Sequence, residues 1–228
     1  MASNFQDDLR EQEMIELFEL IKDENEGRSG IDAFLELDGT NIPFELKTTS
    51  SKSGSVTTVR DFGYDHIHKW QDKHWLFGFY KQGKAFYKYG SLALMQNWIK
   101  QKEEYIKPDF QLAKIAAKNL TLSDLYLVLG KKEIYSLEDA KSIQKRQYSK
   151  SKYFELQDLT DGYSENRMLS ILKDRTIYLM ERGGTLNNPH IPGSYFREWS
   201  EITENHAARL RQMVKDYINN QQAEIEKA

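Results

Sequence analysis

The 228-residue chain has no cysteine, so no disulfide scaffold can hold it together. It has no apolar run near the length of a membrane span, and Met1-Ala2-Ser3-Asn4 opens no signal-peptide pattern. Together these absences lead us to expect a cytoplasmic protein without a membrane partner. There is no internal repeat and no low-complexity segment, and the length suits one domain with a full core. Net charge is small, −3, which taken alone argues against a nucleic-acid partner. Its distribution argues the other way. Residues 1–46 hold three Lys/Arg against thirteen Asp/Glu, a balance of −10, whereas residues 47–197 hold twenty-five against sixteen, a balance of +9. Such asymmetry implies one face built to meet an anion.

What the chain does have is a dense cluster of chemistry in residues 31–47, Ile-Asp-Ala-Phe-Leu-Glu-Leu-Asp-Gly-Thr-Asn-Ile-Pro-Phe-Glu-Leu-Lys. Asp38-Gly39 is a two-residue hairpin signal between strand-forming runs. With those residues as the turn, Leu37 pairs with Thr40, Leu35 with Ile42, and Asp32 falls opposite Glu45. Lys47, two residues further along, shares their face. Opposed carboxylates repel and weaken a strand pair, so the arrangement makes sense mainly with a divalent cation between them. Oxygen-only ligands suit magnesium.

Asp32 followed by Glu45-Leu46-Lys47 resembles the PD-(D/E)xK nuclease motif, with Ile31 where that motif has proline. The likeness covers roughly residues 10–90. It includes the Thr/Ser-rich segment 48–63 and Tyr64-Asp65-His66-Ile67-His68-Lys69-Trp70, which resemble the segment after the catalytic strand in several type II restriction enzymes. It extends most loosely to the rare cutters of A·T-rich eight-base sites. The resemblance implies an α/β restriction-endonuclease-like core, a central mixed β-sheet flanked by helices, with DNA-recognition elements in the second half. It implies that Asp32, Glu45 and the Leu46 carbonyl bind Mg2+, and that Lys47 orients or deprotonates a water for attack on a phosphodiester.

Around this hairpin we expect one nuclease domain over 1–228, with a catalytic core at 1–107 and DNA-recognition and dimerisation elements at 108–228. Residues 7–24 read as an amphipathic helix with Leu9, Met14, Leu17, Phe18, Leu20 and Ile21 inward. Glu13 falls in that apolar arc, as a boundary residue or as a third acid for the metal. Residues 48–60 should be an exposed loop, 61–72 a short helix, and His74–Tyr80 and Ala85–Tyr89 strands. A helix from Ser91 should end before Pro108. Further on, Leu112–Leu120 and Ser136–Lys150 read as helices, Tyr126–Leu129 and Thr176–Met180 as strands, 183–194 as an extended loop, and 200–226 as a long helix.

Several groups suit DNA. Thr48, Thr49, Ser50, Lys52, Ser53, Ser55, Thr57, Thr58 and Arg60 are donors for phosphate oxygens directly after the catalytic strand. Lys145, Arg146, Lys150 and Lys152 lie in a segment, 141–153, with five cations and no acid. Asn187 and Asn188, with His190 and Arg182 nearby, have the chemistry to reach base edges. His66, His68 and His74 do not match the spacing of a structural zinc site.

The expected activity is a magnesium-dependent type II restriction endonuclease acting on double-stranded DNA as a homodimer, with no nucleotide cofactor. The apolar stripe Leu210, Met213, Val214, Tyr217 and Ile218 is the first candidate for the dimer contact, and packing on its own core is the alternative. A repair nuclease or Holliday-junction resolvase of the same fold is one rival, and a non-catalytic DNA-binding protein is another. The latter would be expected to lack one of the three charged residues, and all three are present.

Overall fold

The computed structural model describes residues 2–22, 30–59, 62–81, 83–184 and 189–225. Arg60, Asn187 and Asn188, three of the expected DNA contacts, lie outside the described residues. In chain order the elements are α1 (Ala2–Leu17), β1 (Ala33–Leu37), β2 (Thr40–Thr49), β3 (Val56–Thr57), α2 (Tyr64–Gln71), β4 (His74–Lys81) and β5 (Lys84–Gly90). They continue as α3 (Leu92–Asn119), α4 (Leu122–Leu129), α5 (Leu137–Gln144), α6 (Lys150–Glu155) and α7 (Glu165–Gly184). The last are β6 (His190–Ile191), a 3-10 turn at Gly193–Phe196, β7 (Glu201–Ile202) and α8 (His206–Ile225). Among the described residues, no helix is long and apolar enough to cross a membrane.

The protein is a mixed α/β structure that divides into two compact units, residues 1–103 with 188–228, and residues 104–187. The C-terminal forty residues therefore belong with the hairpin, not with the segment after residue 107. In the first unit a five-stranded sheet runs β1-β2-β4-β5-β7, antiparallel except for the parallel β2–β4 pair. The hairpin forms in the expected register, with Leu37 on Thr40 and Leu35 on Ile42. Asp38 and Gly39 both take positive φ, 51° and 81°, the backbone of the turn that matches strand twist.

Alternation then decides which side each residue faces. Ala33, Leu35, Leu37, Ile42, Phe44 and Leu46 are buried in one core with Met14 of α1, Phe18 just after it, and Leu210 and Val214 of α8. Each fully buried side chain of this size contributes about 1.5–3 kcal/mol. Asp32, Glu45 and Lys47 alternate with these residues and so belong to the opposite side. The α8 stripe is spent inside this unit: Met213 and Ile218 pack on the same core, and Tyr217 meets His74 edge-on. That removes it as a dimer contact. The α1 face is also rotated from expectation, since Leu9, Leu17 and Ile21 are exposed and Ile15 is buried with Met14 and Phe18.

The second unit is helical, around Leu125, Tyr135, Tyr153, Tyr163, Met168 and Ile171. Tyr126–Leu129 belongs to α4 and Thr176–Met180 to α7, so neither is a strand. α4 starts with a capping box in which the Thr121 N–H donates to Asp124 at 2.8 Å. α3 passes through Pro108 and joins the two helices expected on either side of it. Proline there removes the bond to the Glu104 carbonyl, a loss that exposure to water makes tolerable. The expected helix 136–150 is two helices, because Lys145 and Arg146 both adopt left-handed φ, 50° and 61°, and reverse the chain. The expected helix 200–226 begins only at His206, since Glu201–Ile202 joins the sheet as β7.

Candidate active site

The site is built where the start of the hairpin crosses β2. Asp32, one residue before β1, is tied to β2 by its Oδ2, which accepts the Leu46 N–H at 2.8 Å. Lys47 Nζ sits 2.8 Å from Glu45 Oε1 and 3.4 Å from Asp32 Oδ2, and donates to the Leu46 carbonyl at 2.9 Å. The ammonium thus touches the same three groups expected to hold a metal. The carboxylates do not simply oppose each other across the hairpin, because Lys47 supplies the positive charge between them.

Glu45 is 2 % exposed and meets a second cation on its other side. Lys73 Nζ lies 3.5 Å from Glu45 Oε2 and donates to the Gly30 carbonyl at 3.2 Å. The Lys73 contact is electrostatic without being a hydrogen bond, so Oε2 is a buried acceptor with no hydrogen-bond partner. A buried acceptor in this state is costly, and a cation ligated there would relieve it. Burial alone would raise the Glu45 carboxyl, but Lys47, with help from Lys69 and Lys73, outweighs it and holds the group below the usual carboxylate range. Burial alone would lower Lys47, and Glu45 and Asp32 overcome it and hold the ammonium above its ordinary value. Burial, then Lys69, lowers Lys73, with Glu45 opposing.

Two neighbours, Glu11 and Lys73, were not found by sequence reasoning, and a third, His66, was weighed there only as a zinc ligand. Glu11 of α1 has its carboxyl raised by burial and by the charge of Asp32, with Lys47 opposing, and so is the acid that α1 brings towards the site. Glu13 instead accepts from the Tyr80 hydroxyl at 3.3 Å. The signal was available: Glu11 lies three, four and seven residues before Met14, Ile15 and Phe18, on the buried side. Lys73 directly precedes the buried strand β4, and His66 comes from α2. Burial, then Lys69, holds the His66 imidazole below its usual value, with Glu45 opposing. His74 has a separate, structural role. It is buried against Tyr89, whose hydroxyl lies 2.6 Å from Nδ1, and burial pushes it down to about 4.

Among the described residues no three side chains of His, Cys, Asp or Glu are grouped as a metal cage. The set present is two carboxylates and a carbonyl around the Lys47 ammonium, with one carboxylate oxygen of Glu45 lacking a hydrogen-bond partner beside it. These are hard oxygen donors of the kind magnesium takes.

The segment after Lys47 is more ordered than a polar loop. Thr48 and Thr49 continue β2, and β3 pairs with β6 through Val56 on Ile191 and Thr57 on His190. Thr49 and Thr58 are buried, and their hydroxyls donate to the carbonyls of Ser55 at 2.7 Å and Pro189 at 2.8 Å. They are therefore not on a surface that could touch DNA. Ser51, Ser53 and Ser55 bond to one another, and Ser53 packs so closely on Gly193 that no larger residue fits there. Ser50, Lys52, Ser53 and Thr57 are exposed, and Thr48 and Ser55 half-buried. Lys145, Arg146, Lys150 and Lys152 are all exposed on the second unit. Compared with known proteins, the chain matches no family model, no curated protein and no solved structure.

Proposed function

We propose that the chain is a magnesium-dependent endonuclease of the restriction type that hydrolyses phosphodiester bonds in duplex DNA, on a restriction-endonuclease-like core. The observation that carries this reading is the Lys47 ammonium held by Asp32, Glu45 and the Leu46 carbonyl at one cation-sized position. Those three groups would hold the metal. Bound there, a divalent cation supplies Lewis acidity to an attacking water and offsets charge on the phosphoryl oxygens.

The protein's own groups divide the remaining work. Asp32 is held in place by the Leu46 N–H, so it needs little reorganisation. Lys47 does most to keep Glu45 ionised, and Lys73 adds positive charge on the far side of that carboxylate. Lys47 stays protonated while paired, which suits it to donate a hydrogen bond to a phosphate oxygen and not to take a proton from water. Glu11, whose carboxyl is raised by burial and then by the charge of Asp32, adds a further acid from α1. Exposed cations on the second unit supply sequence-independent attraction for the DNA backbone. Cutting both strands with one site per chain favours a two-fold dimer on a palindromic target.

Incubation of the full chain with a mixed-sequence plasmid and magnesium tests the reading. Discrete fragments are expected with magnesium and none with calcium, whose looser coordination positions water poorly. An intact plasmid under every divalent cation would sink it.

A further inference from the structure

The second unit carries a hollow that no step above uses. Its volume is about 270 Å³, and Leu137, Tyr148, Tyr153 and Phe154 give it an apolar lining while Lys141, Arg146 and Lys150 give it charge. A second hollow of about 350 Å³ shares Lys141 and Arg146 and adds Glu138, Ser142 and Lys145. Both exist because the chain reverses at Lys145 and Arg146, whose left-handed backbone ends α5 and is held by the Arg146 N–H donating to the Lys141 carbonyl at 3.1 Å.

The charge around these hollows is unbalanced. Lys141 pairs with Glu138 at 2.7 Å, but among the described residues Lys145, Arg146 and Lys150 have no carboxylate at ion-pair distance. Beside them Phe154 is 52 % exposed. Tyr153 is 4 % exposed and lines the first hollow, and its hydroxyl has no hydrogen-bond partner. Glu138 is the one acid among the lining residues, against the four cations Lys141, Lys145, Arg146 and Lys150, and an open ring lies next to them.

We propose that this cleft holds one unstacked nucleotide of a DNA strand, with the base against Phe154 and Tyr148 and the phosphate at Arg146, Lys145 and Lys150. The first hollow, about 270 Å³, lies below the roughly 300–1,000 Å³ of drug-sized sites, a size that suits a single base. Cations hold the phosphate through charge, and the ring offers a face on which any base stacks. The choice of DNA as the ligand rests on the nuclease reading; the cleft chemistry stands apart from it.

The test uses the full chain without divalent ions, so that nothing is cut, and a fluorescent eight-residue thymidine strand followed by anisotropy. A strand of equal length and charge with abasic positions should bind roughly 5- to 150-fold more weakly, the worth of one stacked base. Phe154→Ala should lose a similar factor on the thymidine strand and nothing on the abasic one, and Phe154→Leu, which keeps apolar bulk without a ring, should behave the same way. Arg146→Gln should weaken both strands alike. Equal binding of the two strands by the wild-type chain, or unchanged thymidine binding by both Phe154 variants, overturns the proposal. Plasmid cutting in magnesium by the Phe154→Ala chain is read separately. Failure of the wild-type chain to cut, with the strand preference intact, would remove the nuclease reading and leave the cleft.

Discussion

The two units treat charge in opposite ways. In the sheet unit Glu45, Lys73, His74 and Lys88 are all buried, whereas the buried polar residue of the helical unit, among those described, is the neutral Gln144. Among the described residues of the helical unit, the ion pairs Lys107 with Glu104, Lys132 with Asp139 and Lys141 with Glu138 are partly or largely exposed. Exposed pairs contribute about 0–1 kcal/mol each, while burying charge costs several kcal/mol that only close pairing returns. Buried charge held in this way, with its titration shifted by close partners, is the pattern that candidate functional sites share. The helical unit keeps its cations in water, where they attract an anion at long range.

Glu45→Gln attacks the sheet side of this contrast most directly. It leaves two ammoniums without their shared carboxylate, and metal-free thermal or urea unfolding should register a loss of about 3 kcal/mol, the low end for breaking a buried pair. This reverses what opposed carboxylates alone would predict, a gain from relieved repulsion, because Lys47 already neutralises them. The pH dependence sharpens the point. Glu45 is depressed in the folded state, so its contribution is present above the ordinary glutamate value of 4.5 and is lost as pH falls through the folded value. Acid titration of stability should be shallower below 4.5 for Glu45→Gln than for the wild-type chain.

Pro108→Ala probes the helical side. Restoring the N–H in the interior of α3 should raise stability by up to about 3 kcal/mol, read as a higher denaturant midpoint. No change would mean that the helix is already broken there in solution.

Glu11→Gln is a smaller test of the site. The Glu11 carboxyl is raised, so the stability tied to its proton is full below 4.5 and falls as pH rises through the folded value. Metal-free stability at neutral pH should therefore rise, by less than about 1 kcal/mol after discounting for partial exposure. The gain should vanish at pH 4. A loss at neutral pH would place Glu11 away from Asp32.

Replacing Lys145, Arg146 and Lys150 together by Gln should leave stability within about 0.5 kcal/mol, since all three are exposed and, among the described residues, none has a carboxylate at ion-pair distance. Affinity for duplex DNA should drop about equally for all sequences, and the log–log salt slope should flatten by about one unit for each phosphate no longer neutralised. Unchanged binding at all salt concentrations would make the cluster a solvated surface.

The hairpin was legible because a two-residue turn with two positive φ values sets every pairing after it, and so places Asp32, Glu45 and Lys47 on one side. The second unit was not. Tyr126-Leu127-Val128-Leu129 has strand-forming residues, but the Thr121-x-x-Asp124 cap five residues earlier starts a helix that carries them along. Thr176–Met180 is likewise absorbed by a helix whose buried face was set upstream by Met168, Ile171 and Leu172. Pro108 reads as a stop in the sequence, whereas an exposed proline in a long helix only removes one bond. At the site, Glu13 and not Glu11 was weighed as a third acid because the reading of α1 put Leu9 and Leu17 inward, whereas both are exposed. Lys73 gives no local pattern at all, because its partner, Glu45, arrives from a strand twenty-eight residues earlier.

The central claim is that Asp32, Glu45 and Lys47 form one metal-dependent cleaving centre, and Lys47→Ala tests it most directly. Plasmid cleavage in magnesium should be followed over time for the wild-type and Lys47→Ala chains, with duplex binding in calcium measured alongside. Cleavage by the variant should fall by at least about 100-fold, as for loss of a transition-state donor, while binding is retained. Turnover by Lys47→Ala at the wild-type rate would contradict it.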